Sequence, residues 1–167
     1  MSPLFNLAIL IMSVVVHEVA HGLAALWQGD RTAQYQGRLT LNPIKHIDPV
    51  GSILVPLLCV LLPGSLMFGW AKPVPYNPYN LKNGRTSEFL VAFAGPLSNI
   101  LIALLGSFVI RAFGPTLPDA TLSILAMTIL INLVLALFNL VPLPPLDGSK
   151  ILANILPYQA SEQLNRF

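Results

Sequence analysis

Val14-Val15-Val16-His17-Glu18-Val19-Ala20-His21-Gly22 lies inside an apolar run from Leu4 to Trp27. On an α-helix, residues four apart stand one above another on the same face. His17 and His21 can therefore point two imidazoles at one metal ion, with Glu18 beside them. Such a pair suits zinc, which takes neutral imidazole, favours four ligands and in catalytic sites keeps one position for water. Glu18 is then placed to act as the general base that takes a proton from that water. The H-E-x-x-H pattern says little in a soluble chain, but its setting gives it weight. An ionised side chain at the centre of a membrane helix costs about 2.5–3.5 kcal/mol or more, so such residues point to function. The bland alternative is a polar trio that hydrogen-bonds to a neighbouring helix.

Composition fixes that setting. The chain has 167 residues, 54% hydrophobic and only 10% charged, with a mean hydropathy of +0.70. Ordinary soluble domains carry about 25% charged residues. An all-α polytopic membrane protein is expected, with residues 1–167 as one membrane-embedded domain and no room for a separate soluble one. A single cysteine, Cys59, excludes an internal disulfide and most thiolate metal sites. The net charge of +2 is too small and too scattered for nucleic-acid binding. Met1-Ser2-Pro3-Leu4-Phe5 lacks the basic n-region of a signal peptide, so the first apolar run reads as structure and not as a cleaved leader.

Outward from the motif, the first helix is expected to start near Pro3, which a helix start tolerates, and to end near Trp27-Gln28-Gly29. At 1.5 Å per residue, its roughly 24 residues are enough to span a bilayer. The same rise puts His17 and His21 roughly 9–15 Å inside the Trp27 end, so the site lies nearer one face. Residues 30–43 alternate around Gly37, which predicts a small β-hairpin after the first helix. Residues 50–68 are apolar but broken by Gly51, Pro56, Pro63 and Gly64, the punctuation of a re-entrant or buried hairpin. The proline-rich stretch 68–79 should be extended and interfacial, with Trp70, Tyr76 and Tyr79 at headgroup depth. Glu88–Phe113 and Thr121–Val141 read as two further spans, which makes three core transmembrane helices with the first. Ala92, Ala94, Gly95 and Ser98 would let another helix approach the middle span closely. Prolines at 142, 144 and 145 break the last span before Asp147-Gly148, and residues 149–156 look helical again.

Two histidines and a water leave zinc one protein ligand short. His46, Asp30, Asp48, Glu88, Asp119, Asp147 and Glu162 are the candidates, and most sit in loops where a solvated charge is the usual reading. Asp147 differs, having apolar helix on both sides and a proline break just before it. If the first and last spans run parallel, Asp147 arrives at about the depth of the histidines. Its negative charge would also offset part of the metal's charge, which neutral His46 could not do. Its bland alternative is a helix-capping aspartate in a turn.

Together these stretches resemble the site-2 protease family of intramembrane zinc metalloproteases. The resemblance rests on His17-Glu18-Val19-Ala20-His21 and on Asn139 through Gly148, with support from Ala94-Gly95-Pro96-Leu97-Ser98-Asn99 and Gly37-Arg38-Leu39-Thr40-Leu41-Asn42-Pro43. It implies one zinc per chain, held by His17, His21 and Asp147, with Glu18 as the catalytic base. It also implies that Asn139 helps to position substrate or the oxyanion, against the plainer role of a packing asparagine between helices. The expected form is compact, without PDZ or CBS domains. Relatives often carry a further membrane segment after the aspartate-bearing helix, so a chain that stops at Phe167 reads as truncated or minimal.

The implied activity is hydrolysis of peptide bonds in membrane-spanning substrates, that is, regulated intramembrane proteolysis. The alternative is a catalytically silent membrane protein that binds metal or a partner helix. A helical substrate hides its carbonyls in i→i−4 bonds and must unwind, and the 30–43 hairpin or the Asn139–Pro145 stretch could then receive it by strand addition. The expected partners are a transmembrane substrate and the bilayer itself. Charge sets the orientation. Arg31, Arg38, Lys45, Lys72, Lys82, Arg85, Lys150 and Arg166 all fall on one side if 50–68 does not cross, with Arg111 alone near the other. The positive-inside tendency then places the N-terminus outside and the site nearer the cytoplasmic face of a prokaryotic cell membrane.

Overall fold

The computed structural model describes residues 3–54 and 71–164. Helix α1 runs Pro3–Trp27 and ends where Gly29 takes φ +108°, a left-handed conformation that glycine adopts freely. The Gly29 N–H donates to Leu26 O and the Asp30 N–H to Ala25 O, the paired bonds of a Schellman cap. A short helix α2, Thr32–Tyr35, follows, then a 3₁₀ turn at Pro43–His46 and a π-helical turn at Pro49–Leu54. Residues 71–77 are extended and lead through a 3₁₀ turn at Pro78–Asn80 to α3, Arg85–Phe113. After a 3₁₀ turn at Gly114–Thr116 comes α4, Asp119–Asn139. A break with a cis Pro144–Pro145 bond leads to α5, Asp147–Ile155, and then α6, Tyr158–Leu164.

Among the described residues, three stretches, Leu4–Trp27, Arg85–Thr116 and Asp119–Asn139, are long and apolar enough to cross a membrane. Their packing follows bilayer rules. Large apolar side chains point outward: Leu104 is 60% exposed, Phe108 64% and Leu137 68%, the surface expected of helices that face lipid. Small residues face inward, among them Ala92, Ala103 and Ala136. At Gly106 a Cβ would come within 2.9 Å of Ile129 Cγ1, so the glycine lets α3 and α4 approach closely.

Polar contacts fix the helix directions. Gln28 meets α3 at its start, where Ser87 Oγ donates to Gln28 Oε1 at 2.8 Å, whereas His17 meets α3 at Asn99. Helix α3 therefore runs back along α1. Ser13 meets Asn132 and His17 meets Asp147, so α4 and α5 advance in the direction of α1. The connection from α1 to α3 starts and finishes at one end of this pair, where the Lys82 N–H donates to Gln28 O at 2.9 Å.

One expectation changes. No β-strand occurs among the described residues, so the small hairpin at 30–43 is absent. Gly37 takes φ +62° after α2, with its N–H on Gln34 O and the Arg38 N–H on Ala33 O. That is a second Schellman cap and not a hairpin turn. The hairpin expected at about 50–68, and Trp70, lie for the most part outside the described residues.

Candidate metal centre

His17 and His21 stand one turn apart on α1, with their rings edge to face and centroids 4.7 Å apart. Each ring is held through its far nitrogen. The Nδ1–H of His21 donates to the Val91 carbonyl at 2.7 Å, and that of His17 donates to Asn99 Oδ1 at 2.6 Å. A neutral imidazole with Nδ1 protonated carries a lone pair on Nε2. Both Nε2 atoms point into one space, 3.0 Å apart. Asp147 Oδ2 closes the set at 3.0 Å from His17 Nε2 and 3.2 Å from His21 Nε2.

Three electron-rich atoms packed this closely repel one another unless a cation lies between them. Zinc bonds of about 2.0–2.1 Å at tetrahedral angles put ligand atoms roughly 3.3 Å apart, close to the spacing found here. The donor set of two imidazoles and a carboxylate also suits zinc. The residues therefore fit the metal, and the outer bonds from Val91 and Asn99 are the usual supports for histidine ligands.

Local sequence explains how the set assembles. At Gly95 a Cβ would lie 2.6 Å from His17 Nε2 and closer still to His21 Nε2, so the missing side chain makes room for the imidazoles. At Gly148 a Cβ would strike the carbonyl oxygens of Leu140 and Val141. That glycine lets the broken end of α4 fold against the start of α5, which delivers Asp147 from the first residue of that helix.

Glu18 is partly buried, and its Oε2 accepts the backbone N–H of Val74 at 2.8 Å. The extended segment that carries Val74 is itself tied down. Buried Arg38 donates from Nη2 to Lys72 O at 2.8 Å and Pro73 O at 3.3 Å, and the Lys72 N–H donates to His46 O at 2.9 Å. At Gly22 a Cβ would meet Leu39 Cδ2 at 2.6 Å and Val74 Cγ1 at 2.8 Å, so the bare helix face lets this layer lie close over Glu18.

The remaining candidates stand elsewhere. Among the described residues, only His17, His21 and Asp147 form a group able to hold a metal. His46 is buried, and its Nε2–H donates to Thr40 O at 2.9 Å. Asp30 is also buried, with Oδ1 accepting from Thr32 and Asn80 and Oδ2 from the Asn77 N–H, so it ties the end of α1 to residues 77–80. Burial alone would raise its carboxyl, but those hydrogen bonds outweigh burial and hold the group below its ordinary value. Asp48 accepts the N–H groups of Val50 and Gly51, Asp119 opens α4, and Glu88 lies in the first turn of α3. The Glu162 side chain lies outside what is described. Asn139 turns its amide back on its own helix, with Nδ2 donating to Leu135 O at 3.0 Å.

Several supporting groups escaped sequence reasoning. The Val91 carbonyl and the Val74 N–H are backbone and leave no sequence signal. Asn99 and Asn132 did leave one, since each is an amide inside a span, where polar residues are rare and seek partners. Both are fully buried.

Comparisons with known proteins agree on one family. The model of peptidase family M50 matches residues 114–166. YwhC of Bacillus subtilis, by name a candidate zinc metalloprotease, is 46% identical over 155 residues, which cover 89% of this chain and 67% of YwhC. Rip2 of Mycolicibacterium smegmatis, named in the same way, is 31% identical over 138 residues, covering 83% of this chain and 52% of Rip2. MJ0611 of Methanocaldococcus jannaschii, also so named, is 29% identical over 162 residues, covering 90% of this chain and 73% of MJ0611. The chain thus spans two thirds of the length of one relative and about half of another. No solved structure matches it.

Proposed function

The chain belongs to peptidase family M50, the site-2 protease family of zinc metalloproteases, and we propose that it hydrolyses peptide bonds of membrane-spanning substrates within or beside the bilayer. The observation that carries this reading is the convergence of His17, His21 and Asp147 on one point, with Glu18 next in sequence to the first ligand. His17, His21 and Asp147 would hold zinc, which when bound would supply the Lewis acid for the scissile carbonyl and the attacking water. Glu18 takes the proton of the attacking water and returns it to the leaving amine. Its Oε2 accepts the Val74 N–H, which holds the carboxylate in place for that work. Val91 and Asn99 hold the two rings so that neither must turn during the reaction.

A pure metal binder would need the three ligands but no carboxylate beside them, so Glu18 favours the enzyme over a silent binding protein. Asn139 contributes to substrate positioning only if its amide leaves Leu135 when substrate enters. The site faces the cytoplasmic side of the cell membrane, a reading supported by the basic residues gathered at the end where α1 gives way to α3. Thiol labelling of cysteines placed at Lys45 and Lys82 in a Cys59→Ser background tests that orientation. Reaction from the outside would reverse it.

Co-expression with single-span membrane proteins tests the activity. Wild type should shorten a substrate that Glu18→Gln leaves whole. Equal cleavage by both would remove Glu18 from the mechanism.

A further inference from the structure

Behind His17 a chain of amides runs across the helix bundle. The His17 Nδ1–H donates to Asn99 Oδ1, and Asn99 Nδ2 donates to Asn132 Oδ1 at 2.7 Å. Asn132 Nδ2 donates in turn to Ser13 Oγ and to the Thr128 carbonyl, each at 2.9 Å. Ser13, His17, Asn99 and Asn132 are all buried. The chain has only one workable direction, because it ends on a backbone carbonyl that can accept but never donate. Turning the Asn132 amide over would set its oxygen against Thr128 O and its NH₂ against that of Asn99. Turning Asn99 as well would set its NH₂ against Nδ1 of His17, and the ring would have to move its proton to Nε2. That is the nitrogen facing His21 and Asp147.

We propose that Asn132 is a positioning residue that, acting through Asn99, decides which nitrogen of His17 is offered to the metal. The Thr128 carbonyl sets the polarity, Asn132 passes it across from α4 to α3, and Asn99 passes it to α1. The proposal rests on the reading of His17 as a zinc ligand. It goes beyond that reading by giving a role to a residue on a different helix that touches neither metal nor substrate. A merely structural asparagine would glue α4 to its neighbours without caring which way its amide points. A polarity relay does care.

The test reads the tautomer directly. Nitrogen NMR of ¹⁵N-histidine-labelled, zinc-free protein in detergent at pH 8 should show His17 with Nδ1 protonated, its signal assigned by loss in His17→Gln. Asn132→Leu keeps the bulk but removes the acceptor for Asn99, leaving that amide only its longer 3.4 Å bond to Ser13 O. The His17 signal should become a tautomer mixture, and zinc affinity by chelator competition should fall about tenfold, the low end for an outer-shell change. Held neutral by its burial in the span, the carboxyl of Asn132→Asp keeps an oxygen facing Asn99 and offers an O–H to the Thr128 carbonyl, so it should restore the Nδ1–H form, with affinity close to wild type. This second variant also decides the matter if Asn132→Leu does not fold. An unchanged tautomer and affinity in Asn132→Leu, or a lost Nδ1–H form in folded Asn132→Asp, would overturn the proposal. A wild type that binds no zinc would instead overturn the metal reading, and the tautomer comparison would still judge the relay.

Discussion

Gly95 faces His17 across the α1–α3 contact so closely that a Cβ on it would lie 2.6 Å from His17 Nε2. A methyl group would occupy the space into which both imidazoles point, so the helix must bare its backbone there. Gly95→Ala should raise intrinsic helix propensity by about 1 kcal/mol yet lower zinc affinity at least tenfold by pushing the rings off their shared point. Equilibrium dialysis against buffered zinc checks this. An alanine variant that holds zinc as tightly as wild type would mean that the rings sit elsewhere.

Arg38 restrains the segment that restrains Glu18. Arg38→Met keeps most of the side-chain volume but leaves the carbonyls of Lys72 and Pro73 without their donor. The expected cost is about 1–3 kcal/mol of stability. Cleavage should fall several-fold while zinc content stays unchanged, because the ligands lie on other elements. Thermal unfolding and metal analysis on the same preparation separate the two effects.

Asp30 gives the fold a pH dependence outside the membrane spans. Hydrogen bonds from Thr32, Asn80 and Asn77 hold its folded pKa below the unfolded value of 3.8 in spite of burial. A carboxylate so depressed adds stability above its unfolded pKa and loses that contribution as pH falls through the folded value. Asp30→Asn should therefore be less stable than wild type at pH 7, by about 1–3 kcal/mol. The gap should narrow as pH drops below about 4. Unfolding curves at pH 7, 5 and 3 would show it, and a gap constant across that range would deny the carboxylate its role.

Much of the fold was legible because the bilayer imposes simple rules. Long apolar runs must be helices, and Pro3 and Gly29 marked the ends of the first one. The region 30–43 was misread because alternation and a central glycine fit two structures equally well. Whether Gly37 turns a hairpin or caps α2 depends on Asp30, whose four hydrogen bonds gather Thr32, Asn77 and Asn80 around the end of α1. Thr32 is a local partner, but Asn77 and Asn80 are distant in sequence, so no local pattern reveals them. The ligands showed themselves by type and spacing. Their supports did not: the Val91 carbonyl and the Val74 N–H carry no residue signature, and Asn99 and Asn132 look like ordinary helix glue until their direction is seen.

Zinc content per chain, measured by elemental analysis on purified wild type, Glu18→Gln, Asp147→Ala and His46→Ala, tests the centre most directly. Wild type and Glu18→Gln should each carry about one zinc, since Glu18 is a base and not a ligand. His46→Ala should also keep its zinc, because His46 is bonded to Thr40 and stands apart from the cluster. Asp147→Ala should carry almost none. Zinc retained without Asp147 and lost without His46 would contradict the assignment of the site.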